Sequence, residues 1–309
     1  MMSSRAVAKP MRRKPKNRYA QEMQDWMKLQ HFKLDDDEFV ENEETQRSAK
    51  ELNILQNGEH CIVKMVYGNG ERIKIVFVRV REFQTLVVKK HTNTTLNERY
   101  TIANANYSIE AAKFLEKYYT ESTQKIENIS ITMDDFPWKL FLLSPFQDAY
   151  NYYLSSKYYD DIFKVLILIN RKARISIVSM QSIPRHYIQR KDFLRLKDIT
   201  IDSNVQMSDR DFLYSSANRL ILTLCTISAE AINQKIDRWI RGNVTFREFK
   251  ICRNGHEMAN IIRGLEVQRI PADPDDVKKD VVKMWVIRRH GKRAMLEISW
   301  KYVHFHVDK

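Results

Sequence analysis

The chain has 309 residues, 43% of them hydrophobic and 11% aromatic, and a formal net charge of +13. That apolar content builds a sizeable core and excludes an intrinsically disordered chain, while only seven glycines and seven prolines exclude a collagen-like or linker-rich one. No apolar run approaches the ~18 residues of a membrane-spanning helix. Three cysteines, Cys61, Cys225 and Cys252, are odd in number and far apart. They read as reduced thiols of an intracellular protein, cytoplasmic or nuclear, in which the Asn-X-Ser/Thr sequons carry no glycan.

The charge is uneven. Arg5, Lys9, Arg12, Arg13, Lys14, Lys16 and Arg18 contribute +7 to the net charge of +13. Such an arm is expected to be disordered and can bind phosphate without sequence preference. Arg12, Arg13, Lys14 and Lys16 form its densest part and have the composition of a nuclear import signal. No apolar segment follows the arm to complete a secretory signal. Tyr19 to Leu29 has helical spacing, with Met23, Trp26 and Met27 on one side. An acidic run from Asp35 to Glu44 comes next, and residues 1–55 together read as a basic then acidic N-terminal segment.

Residues 56–122 read as a β-meander plus a helix. Strands are expected over Glu59 to Tyr67, Arg72 to Arg81 and Phe83 to Lys89, with a hairpin turn at Gly68-Asn69-Gly70. A helix follows from Ser108 to Tyr119, with Ser108 as its N-cap.

Residues 123–309 hold the stretch around which the chain is organised. Leu196 to Asn204 reads LxxLxLxxN, and Phe246 to Asn254 repeats it. Between them lies the apolar run Leu220 to Leu224. Aligning Ile199, Leu222 and Phe249 gives steps within the ~20–29 residues of leucine-rich repeats. Ile126 to Asp134 carries the same register upstream. Phe163 to Ile169 and Arg174 to Met180 are strand-like, whereas Trp138 to Leu143 and Asp148 to Ser155 read as helical. Ser228 caps a helix reaching Arg241, with Ile232, Ile236, Trp239 and Ile240 as its apolar stripe and Gly242 at its end. Glu257 to Leu265 is a second helix, and the chain closes as a hairpin from Trp285 to Ile298 with a last strand through Val307. The expected fold is α/β: a leucine-rich-repeat-like α/β solenoid with an N-terminal β-meander and a C-terminal β-hairpin cap.

Two segments resemble a known family. Ile227 to Asn233 with Arg238-Trp239-Ile240-Arg241-Gly242, and Val286 to Ala294, are similar to motifs of the nematode F-box-associated domain, type 2. The similarity extends weakly back to about Ile126, a little over half the chain. It implies the substrate-recognition part of a ubiquitin-ligase receptor. In that family an F-box usually precedes the domain and docks on a Skp-type adaptor of the cullin ligase. Residues 1–60 contain no Leu-Pro dipeptide, and the acidic run stands where the apolar F-box core belongs. The F-box is therefore absent or degenerate, and direct docking to the adaptor is not expected.

No phosphate loop, GxSxG elbow or CxxC pair is present, and His256-Glu257 lacks the second histidine of HExxH. His304 and His306 share one face of the final strand without an evident third metal ligand and read as packing or surface residues. Met180 to Tyr187, with Arg185, His186 and Arg190, is a basic-aromatic cluster with the composition to stack bases, and it reads rather as a solvated loop. No cofactor and no enzymatic activity are expected. The leading expectation is a protein–protein interaction module. On its repeat strands the residues between the inward apolar pairs face outward, so Ser130, Thr132, Thr200, Asp202, Thr223 and Lys250 are the candidate partner-binding residues, with Cys225 and Cys252 beside them. The alternative is a nucleic-acid binder acting through residues 5–18.

Overall fold

Aliphatic and polar residues alternate through most of the chain from Ala49 onward, the period-two pattern of strands covered on one face only. The computed structural model describes residues 49–81, 84–91, 97–120, 125–252, 257–272, 274–278, 280–287 and 291–308. They form a mixed α/β, strand-rich fold with one large sheet of fifteen strands and several helices. The basic arm, the Tyr19–Leu29 helix and the acidic run lie outside the described residues. Among the described residues no helix is long and apolar enough to cross a membrane.

Strands β1 (Ala49–Asn57), β2 (His60–Tyr67), β3 (Arg72–Arg81), β4 (Gln84–His91) and β5 (Asn97–Ala103) pair antiparallel in sequence order. The turn between β2 and β3 needs a left-handed residue, which Gly70 supplies at φ +84° while its N–H bonds the Tyr67 carbonyl at 3.0 Å. β1 lies, up to Leu55, in the stretch that the sequence assigns to the N-terminal segment. Its polar positions Glu51, Asn53 and Gln56 dilute the apolar signal. Burial of Leu52 and Ile54 comes from partners distant in sequence, Met65 and Val63 on one side and Ile129 and Ile131 on the other. Helix α1 (Tyr107–Thr120) buries Ala111, Leu115 and Tyr119, and its Phe114 ring meets Phe77 of β3 at 6.2 Å. Its start is held by Asn106, not by Ser108 as expected: the Asn106 side-chain oxygen accepts from the Ser108 N–H at 2.9 Å and from the Ser108 hydroxyl at 2.7 Å.

Next come β6 (Asn128–Thr132), β7 (Asn151–Ser156), β8 (Arg174–Ser179), β9 (Asp198–Val205), β10 (Arg219–Cys225) and β11 (Glu248–Cys252). Each pairs parallel with the one before it, and β1 runs parallel to β6 on the other side. Directly facing residues are Leu52, Ile129, Tyr152, Ile175, Ile199, Leu220 and Phe249. From Ile129 onward the steps are 23, 23, 24, 21 and 29 residues. The residue facing Ile199 is thus Leu220 and not Leu222, which faces Ile201. A slip of two keeps the same side chains on the inner face, so the pattern alone does not distinguish the two registers. The sheet continues antiparallel from β11 to β15 (Tyr302–Val307), β14 (Arg293–Ser299), β13 (Val281–Ile287) and β12 (Val267–Arg269).

Two assignments are reversed by the structure. Asn151–Ser156 is a strand, because Tyr152 and Leu154 turn inward while Tyr153 and Ser155 turn out. The run from Phe163 begins within helix α2 (Tyr159–Val165), where Ile162, Phe163 and Val165 are buried and Asp160 and Asp161 sit in the first turn. A short apolar run fits either structure, and only its flanks decide. Trp138–Leu142 and Ser144–Phe146 are short 3-10 turns.

The remaining helices are α3 (Arg185–Ile188), α4 (Lys191–Leu194), α5 (Asp209–Tyr214), α6 (Ala229–Ile240), α7 (Met258–Ile262) and α8 (Pro274–Lys278). Ser208 and Asp211 form a reciprocal capping box at α5. Asp209 then accepts from the Ser228 N–H at 2.8 Å and its hydroxyl at 2.7 Å, while Ser228 caps α6 through the Ala231 N–H at 3.1 Å. The far end of α6 closes with Gly242 at φ +80°, its N–H on the Trp239 carbonyl (3.0 Å) and the Asn243 N–H on that of Arg238 (2.9 Å). One continuous core runs along the inner face of the sheet, from Cys61 and Phe77 through Ile131, Leu154, Ile177, Ile201, Leu222 and Ile251 to Phe305.

Candidate interaction surface

Because the parallel strands share one register, their outward side chains form three lateral rows. The middle row is Asn53, Ser130, Tyr153, Ser176, Thr200, Ile221, Lys250 and His304. All of these stay partly or fully exposed. Toward the strand ends lie Leu55, Thr132, Ser155, Val178, Asp202, Thr223 at a bulge in β10, and Cys252. The six residues expected on this face, Ser130, Thr132, Thr200, Asp202, Thr223 and Lys250, all lie on it. They are not one cluster: Ser130 and Thr132 stand on β6, three strands from Thr200 on β9.

The row at the strand starts is built of charge. Arg174 Nε lies 3.2 Å from Asp198, and Asp198 is 3.0 Å from Arg219 Nη1. Arg219 Nε lies 2.9 Å from Glu248, which is 3.1 Å from His304 Nε2. His304 Nδ1 is 3.5 Å from Glu297. Signs alternate from Arg174 to Glu248, so each of these groups is stabilised by its neighbours. Partial burial opposes ionisation of Glu248, but Arg219 and His304 overcome it and hold the carboxyl below its ordinary range. Burial likewise works against the Arg219 charge, and Asp198 and Glu248 reverse it, raising its pKa. His304 is thus a packed member of the ladder, and the His306 ring lies beside it with centroids 5.0 Å apart. Among the described residues no group of three or more His, Cys, Asp or Glu is arranged to hold a metal.

The ladder reaches into the partner-binding candidates. Thr200 Oγ1 accepts from Arg219 Nη1 at 3.2 Å, and the Thr223 hydroxyl donates to the Ile201 carbonyl at 3.3 Å. The Lys250 ammonium sits 4.4 Å over the Tyr302 ring. Ser130, by contrast, lines a groove of about 350 Å³ together with Asn53, Asn128, Asn151, Tyr153, Arg174 and Ser176. The sequence reading misses most of this groove because β1 and β7 are not assigned as strands. Its signal was present in Tyr152-Tyr153-Leu154-Ser155, an alternation of buried and exposed positions. A second groove of about 330 Å³ lies past the strand ends, between Gln56, Gly58, Thr132, Asp134, Ser155, Lys157 and Met180.

The Arg185–Arg190 cluster is not a stacking platform. The Tyr187 ring packs edge-on against Tyr159 (4.9 Å) and Phe163 (4.8 Å). Its hydroxyl donates to Asp160, and that bond pushes the phenol pKa up to about 12. Arg185 is bound to Asp211 at 2.8 Å. Arg12, Arg13, Lys14 and Lys16 lie outside the described residues.

Comparison of the chain with protein-family models, with curated proteins and with solved structures finds no match in any of the three. The case for a function therefore rests on the residues themselves.

Proposed function

We propose that this chain is a non-enzymatic protein-interaction module, an α/β repeat of leucine-rich-repeat type whose open strand face takes hold of a partner protein. One observation carries the reading: six successive parallel strands, stepped by 21 to 29 residues, turn an apolar pair inward and one aligned row outward, in which Ser130, Ser176 and Thr200 are small and polar. Repeats of that size bury their apolar faces only by stacking, and the stack leaves an extended surface for binding. Small side chains let a partner's backbone approach, and Tyr153, 42% exposed beside the groove, is the aromatic anchor. The resemblance to the F-box-associated domain gives the partner a class, the substrate of an intracellular ubiquitin ligase.

The test is comparative capture from native extract by the wild type and by a Ser130→Arg, Tyr153→Ala double variant. Loss of an anchor of this kind costs ~2 kcal/mol or more, so capture of a true partner is expected to fall at least about tenfold with the thermal midpoint unchanged. Undiminished capture places the binding surface elsewhere. Purified Skp-type adaptor at micromolar concentration is expected not to bind. The acidic residues between Asp35 and Glu44 are too costly to bury in an apolar docking bundle. Stoichiometric capture of the adaptor would reveal a working F-box.

A further inference from the structure

The outer face of β2, β3 and β4 carries a feature that the parallel ladder lacks. Lys64, Lys74 and Lys90 are direct cross-strand neighbours, and all three are exposed. Adjacent strands are ~4.8 Å apart, so three ammonium-bearing stems stand side by side within ~10 Å. None of the three has an ion-pair partner among the described residues. Like charges placed directly opposite each other weaken a strand pair. In the parallel part of the sheet, by contrast, the charges alternate in sign from Arg174 to Glu248. The lysine row is thus a place where the sequence works against the stability of its own sheet.

Two residues along each strand the row changes character. Ile62, Val76 and Val88 are cross-strand neighbours, half-buried, and the row ends at exposed Arg99 on β5. Beyond it Val78 faces Leu86. A cationic row therefore borders an aliphatic one. A single-stranded nucleic acid would satisfy the lysines, but its bases need aromatic or guanidinium planes to stack on, and these two rows offer only Arg99. An extended polypeptide crossing the strands between the rows turns alternate side chains to either side. A sequence alternating carboxylates with aliphatic residues then meets both.

We propose that the Lys64–Lys74–Lys90 row and the adjoining Ile62–Val76–Val88 row form a docking site for an acidic, aliphatic-bearing extended peptide. The proposal rests on the reading of the chain as an interaction module, but it uses strands that contribute nothing to the groove at Ser130 and Tyr153.

The experiment is fluorescence anisotropy of the full chain against three labelled probes of similar length: an alternating glutamate–valine peptide, an alternating glutamate–serine peptide and a single-stranded oligothymidine. The glutamate–valine peptide is expected to bind best and to weaken as salt rises. Lys74→Glu should weaken it at least tenfold while raising the thermal midpoint, since the new carboxylate faces a lysine on either side. Tyr153→Ala alone, which adds no charge to the face, should leave this affinity unchanged, so failure here is distinct from failure of the groove. Absence of peptide binding, or binding indifferent to Lys74→Glu, overturns the proposal. Tighter binding of the oligothymidine reassigns the row to nucleic acid. Self-association of the chain that Lys74→Glu abolishes reassigns it to a second copy.

Discussion

Replacing Trp239 with alanine is expected to lower the free energy of unfolding by about 3–5 kcal/mol, the range for a large aromatic removed from a core. Trp239 is 1% exposed. Its ring stands edge-on to Phe305 of β15, with centroids 5.2 Å apart. Phe305 in turn stacks on Phe249 of β11 at 5.4 Å and meets Phe246 at 5.3 Å. The indole therefore fills the joint where the parallel strands give way to the antiparallel ones. Its pocket cannot collapse, because capped and tightly closed ends hold α6 in place. A urea titration reads the effect as a lower midpoint. An unchanged midpoint would mean that the side chain does not carry this packing.

The second large effect depends on pH and arises one turn earlier on α6. Lys235 is 3% exposed, and its ammonium donates to the Phe212 carbonyl at 2.6 Å, with the Phe212 ring 4.6 Å away. It shares that carbonyl, at the end of α5, with the Ser215 N–H at 3.3 Å. Burial is the main force on its pKa, with the nearby Arg238 adding to it, and together they push the pKa down to about 8. In the unfolded chain a lysine titrates near ~10.4. Between those two values the unfolded state holds a proton that the folded state has released, so stability rises with pH through this window. The contribution is fully present above the unfolded value and is lost as pH falls through the folded one. Relative to a Lys235→Met variant, the wild type is expected to gain on the order of 2 kcal/mol between pH 7 and pH 10. Using the difference matters, because Cys61 and the buried Tyr152 act in the opposite sense. Burial pushes the Cys61 thiol up to about 12 and raises the Tyr152 phenol as well, so both stabilise less as pH rises. A stability difference that stays flat from pH 7 to pH 10 would show that Lys235 keeps an ordinary pKa.

The parts legible in the sequence were those with a local cause. Ser228, the Ile232–Ile236–Trp239 stripe and Gly242 marked α6 because capping, periodicity and a left-handed terminus all act within one helix. The outward assignment of Ser130, Thr200 and Lys250 followed from strand alternation alone. Illegible were the features that exist only once strands pair. β1 is buried by β2 and β6, and neither relation is visible in its own nine residues. The Arg174–Asp198–Arg219–Glu248–His304 ladder draws on residues 130 positions apart from first to last, and its charges look like ordinary solvated ones until register aligns them. Leu220 and Leu222 were interchangeable for the same reason. Both point inward, and only the hydrogen-bonded register chooses between them.

The seam between β1 and β6 differs from every other junction in the parallel part of the sheet. Leu52 and Ile129, which face each other across it, are 77 residues apart, against 21 to 29 for the joints from β6 to β11. Closing the longer span costs about 1 kcal/mol more in chain entropy than closing a 23-residue one. Growth of the ladder by near neighbours is therefore faster than arrival of β1, and during folding β6 stands for a time as a bare edge. A β1 from another molecule offers the same hydrogen bonds and the same Leu52 and Ile54 contacts as the chain's own. At high concentration during synthesis or refolding this seam is where two chains would exchange their N-terminal meanders, which makes it the natural route to a domain-swapped dimer.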